Sequence, residues 1–70
     1  MNEEQKQRID YLDRLIATLQ ISERRLQDMA HDPDTSSEFR SLAARDLALL
    51  LVQMREMVTE IWKLDHSTET

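Results

Sequence analysis

The run DLALLLVQM, Asp46 to Met54, decides how this chain folds. Leu47 through Val52 are six consecutive apolar residues in a protein that is 33% charged. A helix packed against a single neighbour needs an apolar stripe, not an apolar ring. The stripe is there: Leu47, Leu50 and Met54 belong to a longer series that also holds Ala43, Met57, Ile61 and Leu64, at alternating intervals of four and three residues. That period predicts an amphipathic helix. The same run also places Leu49, Leu51 and Val52 off the stripe, where one neighbouring helix does not reach.

Working toward the N-terminus, Leu12, Leu15, Leu19, Ser22, Leu26 and Met29 repeat at intervals of three and four and predict a second seam, with Ile9, Ile16 and Ala30 along one flank. Ser22 is its one polar member, placed to bond back to the Thr18 carbonyl. Between the two periodic segments lies HDPDTSS, His31 to Ser37. Pro33 disfavours helical geometry at Asp32 and ends the first helix near Ala30 or His31. Thr35 with Glu38 has capping-box spacing and opens the second helix near Ser36; Asp32 as cap with Pro33 at the first helical position is the other choice. At the front, Asn2 is a cap residue, and Glu3 and Glu4 suit the positive end of the helix dipole.

The expected fold is therefore all-α: one domain, residues 1–70, with helices over about 3–30 and 36–64, a turn at 31–36 and a frayed tail at 65–70. The short break makes the helices antiparallel neighbours, a two-helix hairpin. Zero glycine and one proline agree with long helices. A chain of 70 residues buries little of its own surface, and with no cysteine it has no disulfide to compensate. Leaving several large apolar side chains exposed forgoes about 1.5–3 kcal/mol each, against a total stability of about 5 kcal/mol. The hairpin is thus expected to be completed by a partner, either a different protein or a second copy in a dimeric four-helix bundle. The partner-binding residues expected are Leu47, Leu49, Leu50, Leu51, Met54, Val58 and Trp62; Leu12, Leu15, Leu19, Leu26, Met29, Met57 and Ile61 form the hairpin seam. For Met54, Met57 and Trp62, spacing alone leaves core and interface equally open.

Chemistry is not expected. The two histidines fall at opposite ends of an antiparallel rod and cannot share a metal or a reaction. HDPD lacks the glycine and the distant bidentate glutamate of a calcium loop and reads as a polar turn. No cysteine nucleophile, glycine-rich phosphate loop or Ser–His–Asp set is present, so neither an enzyme nor a cofactor is expected. The net charge of −5 repels phosphate backbones. Arg14, Arg24 and Arg25 sit in a first half with five bases against six acids, short of the positive surplus nucleic acid requires; RNA binding survives only as a role for the dimeric bundle. The apolar run is far shorter than the roughly 18–20 residues of a membrane span, and MNEEQKQRID lacks the apolar core of a signal peptide. A cytoplasmic protein is expected.

Two stretches carry a family resemblance: LQISERRLQDMA, Leu19 to Ala30, and SSEFRSLAARDLALLLVQMREMV, Ser36 to Val58. The chain resembles the small E-type co-chaperones of type III secretion, the YscE/PscE-like proteins, in size, in helix–turn–helix layout, and in an aromatic opening the second helix ahead of a leucine-rich seam, here Phe39 and Leu42. It departs from them in having no glycine in the turn. The resemblance implies docking on a partner chaperone of tetratricopeptide type, with which the protein would hold the needle subunit in the bacterial cytoplasm. Leu49, Leu51, Val58 and Trp62 would then be buried together in the partner's groove.

Overall fold

The computed structural model describes residues 2–66 and shows an all-α antiparallel hairpin. Helix α1 spans Glu3–His31 and helix α2 spans Ser37–His66; no strand occurs among the described residues. The Cα positions extend 52 × 17 × 11 Å, and the thinnest dimension has room for a single layer of helices. Both broad sides of the hairpin therefore face outward.

Each helix begins where side chains satisfy its orphan amides. At α1 the Gln5 amide donates to Asn2 Oδ1 at 2.8 Å and the Asn2 amide donates to Gln5 Oε1 at 3.1 Å, a reciprocal capping box. At α2 the cap is Ser36, whose hydroxyl oxygen accepts from the Phe39 amide at 3.2 Å while its carbonyl accepts from the Arg40 amide. The expected Thr35–Glu38 box does not form. Thr35 instead turns its hydroxyl back to the Asp32 carbonyl at 3.0 Å, and Asp32 is the C-cap of α1, its carboxylate accepting from the Asp34 amide at 2.9 Å. The aspartate and threonine shape the turn, which leaves capping to the next hydroxyl in the chain. Replacing Ser36 with Ala is expected to cost about 1 kcal/mol, read from chemical denaturation at one chain concentration. The second helix also runs past the expected end: Asp65 and His66 remain helical, and the rest of the expected frayed tail, 67–70, lies outside the described residues.

The α2 seam is the one its spacing predicts. Ala43 and Leu50 are buried, and Leu47, Met54, Met57, Ile61 and Leu64 are half-buried. In α1, Leu12 is the deepest hydrophobic at 2% exposure, and Leu15, Leu19, Leu26 and Met29 are half-buried. Ser22, however, is exposed and Glu23 takes the half-buried position. The inward row of α1 passes through Ile9, Leu12, Ile16, Leu19, Glu23, Leu26 and Ala30, which keeps the three–four spacing but turns toward the flank of Ile9, Ile16 and Ala30. The hydroxyl-to-carbonyl bond expected of Ser22 is of the kind Thr18 makes to the Arg14 carbonyl and Thr59 to the Arg55 carbonyl.

Candidate docking site

Leu50 is 9% exposed and points at α1. Successive side chains of a helix are about 100° apart, so Leu49 and Leu51 project to opposite broad sides of the hairpin. They are 59% and 42% exposed. The expected docking set is thereby divided. Leu47, Leu50 and Met54 lie in the seam, buried or half-buried against α1. Leu51, Val58 and Trp62 lie along one side of α2, all exposed, and Ala44 continues their row one heptad earlier. Leu49 and Leu42 lie along the other side, so a flat partner that covers Leu51 leaves Leu49 open.

The Leu49 side is marked by charge. Arg8 reaches across from α1 to Glu60 of α2, with Nε 2.6 Å from Oε2 and Nη2 3.3 Å from Oε1, a bidentate pair. The Arg8 guanidinium also lies 5.5 Å from the Tyr11 ring centre. A shallow groove between the helices on this side is lined by Tyr11, Leu15, Gln53 and Glu56 together with the ion pair. The hydrogen bond from Arg8, more than its charge alone, holds the Glu60 carboxyl below the usual carboxylate range, and the same bond raises the Arg8 pKa. A lowered carboxylate pKa stabilises the fold above the unfolded value, about 4.3, and that contribution is lost as pH falls through the lower folded value. Glu60→Gln is expected to melt below the parent at pH 7 and together with it at pH 2, with the pH 7 gap narrowing in high salt.

The Leu51 side is apolar along its middle. Ile9 and Ile16 of α1 are half-buried on it. Trp62, 60% exposed, is held in place by His66 one turn later: the rings stack with centroids 4.2 Å apart, and His66 Nδ1 lies 2.8 Å from the Trp62 carbonyl. An exposed tryptophan fixed in one orientation is a ready anchor for a partner, because little side-chain freedom remains to be lost on docking. No family model, curated protein or solved structure matches the chain. Its functional surface has to be judged on these residues.

Other candidate groups do not converge. Among the described residues no three His, Cys, Asp or Glu side chains are grouped to hold a metal ion, and no helix is long and apolar enough to cross a membrane. Arg14 is 3.0 Å from Asp10 of its own helix, and Arg24 and Arg25 share their stretch of surface with Asp28. The arginines therefore form no uniformly basic patch.

Proposed function

We propose that this chain is a protein–protein interaction module whose working surface is the Leu51–Val58–Trp62 side of α2. The observation that carries this is the exposure of all three beside a hairpin only one helix thick. Such a hairpin has no enclosed core, and apolar side chains on an open broad side gain about 1.5–3 kcal/mol each when a partner covers them. The partner supplies stability to the module and the module supplies a shaped apolar strip, with no reaction involved.

The resemblance to type III secretion co-chaperones gives that strip a concrete task. In this proposal Leu51, Val58 and Trp62 seat against a tetratricopeptide-type chaperone, and the pair holds the needle subunit in the bacterial cytoplasm. The slender shape and the acidic surplus of 14 acids over 9 bases are compatible with a subunit kept soluble beside a polymerisation-prone client. The test is co-expression with a tetratricopeptide needle chaperone and its needle subunit, followed by size-exclusion chromatography. A ternary complex that raises the melting temperature of the module is expected; separate elution of this chain, at micromolar concentrations and low salt, would reject the co-chaperone role.

A further inference from the structure

We infer that the Leu51 side also pairs with a second copy of this chain, in an antiparallel four-helix arrangement with Leu51 on the two-fold axis. The self-pairing deepens the function proposed above and rests on that side being a docking surface. Area makes it feasible. The broad side measures 52 by 17 Å, about 880 Å² in plan, against roughly 800 Å² per partner in a stable protein–protein interface.

The residues choose the orientation. On this side α2 presents Ala44, Leu51, Val58 and Trp62, whereas the row of α1 further round from Ile9 and Ile16 presents Asp13 and Gln20. Stacking α2 on the α1 of the other copy would press Leu51 and Val58 against those polar groups and desolvate them without replacement bonds. Stacking α2 on α2 joins the apolar rows and leaves the α1 rows polar on polar. A two-fold pair that keeps α2 on α2 and α1 on α1 has its axis perpendicular to the helices, which makes the α2 helices antiparallel.

The register follows from the length of the rod. Helix α2 runs from Ser37 to His66, so its middle falls at Leu51, and full overlap of two rods puts the axis there. Every residue of α2 then meets the one equally far on the other side of Leu51. Val58 meets Ala44 of the second copy, large against small. Trp62 meets Arg40, a half-buried arginine against an exposed indole, a pairing of the kind that makes a cation–π contact. The acids work with this choice. Glu56 and Glu60 line the groove on the opposite side and stay out of the interface.

Two helices packed 8–10 Å apart, each with Cα atoms about 2.3 Å from its axis, leave about 3.4–5.4 Å between Cα atoms that point at each other. The upper part of that range overlaps the roughly 4.4–6.8 Å between the Cα atoms of a disulfide. The chain has no cysteine of its own, so single introduced cysteines report contacts without background. The full chain carrying Leu51→Cys, oxidised with glutathione disulfide and run on a non-reducing gel, is expected to appear mostly as a covalent dimer. Leu49→Cys and Val58→Cys alone are expected to stay monomeric, and an Ala44→Cys chain mixed with a Val58→Cys chain is expected to cross-link while Leu51 is intact. Cross-linking of Leu51→Cys no better than Leu49→Cys, together with no Ala44–Val58 cross-link, would overturn the pairing. So would cross-linking of Ile16→Cys with Leu51→Cys, which belongs to α2 stacked on α1. A chain that cross-links as expected but forms no ternary complex would reject the co-chaperone role and keep the pairing; a complex without the cross-links would do the reverse.

Discussion

Leu12→Ala is expected to remove about 3 kcal/mol of stability, more than half of the roughly 5 kcal/mol available to a domain of this size. Leu12 is the most buried hydrophobic, at 2% exposure, in a seam with only two other buried residues, Ala43 and Leu50. Truncation there removes contacts that no second layer of side chains is placed to restore, and the flanking positions cannot close the gap because each already meets the other helix. The measurement is urea unfolding followed by circular dichroism, with parent and variant at the same chain concentration because association shifts apparent stability. Ile21→Ala is the companion. Ile21 is 59% exposed on the outward side of α1, and its loss is expected to change stability by less than about 0.5 kcal/mol. A Leu12→Ala loss as small as that of Ile21→Ala would mean the seam is not where the hairpin is held.

The second large effect is on association. Leu51→Asp is expected to leave the helical content unchanged and to abolish binding to any chain that covers the Leu51 side. In the self-paired form the substitution sets two carboxylates face to face on the axis, where like charge and desolvation act together. A drop of at least a hundredfold in affinity is expected, which corresponds to about 2.8 kcal/mol at 1.4 kcal/mol per factor of ten. Molar mass by light scattering over a range of concentrations gives the answer directly. Leu49→Asp, on the opposite broad side, is expected to keep the parental mass. An unchanged mass for Leu51→Asp alongside an associating parent would remove Leu51 from the interface.

Much of this architecture is legible in the residues themselves. The seam of α2 is apolar at every position from Ala43 to Leu64 and holds the buried Ala43 and Leu50, although the row Ala44, Leu47, Leu51, Met54, Val58 and Ile61 is apolar at the same spacing. In α1 the row is interrupted at residues 22 and 23, where serine and glutamate are both polar and hydrophobicity offers no choice between them. The half-buried place goes to Glu23 because the inward row turns through Ile9, Ile16 and Ala30, and residue 23, not 22, continues the three–four spacing of that row. The cap of α2 is ambiguous for a similar reason. Thr35 and Ser36 are adjacent hydroxyls, and the competing demand of Asp32 decides between them. The docking surface is the hardest to read. Leu49 and Leu51 are chemically identical and two residues apart, and only the placement of Leu50 between them shows that they face opposite ways.

The single turn has a consequence for how the chain acquires its shape. Contacts between the helices span few residues beside the turn and 52 residues at the Arg8–Glu60 pair. Closing the chain costs more as the enclosed loop lengthens, so pairing is expected to begin at Ser36 and zip toward the free ends. The rate of folding is then governed by the cap and the turn, and substitutions near Arg8 and Glu60 chiefly change how fast the hairpin comes apart.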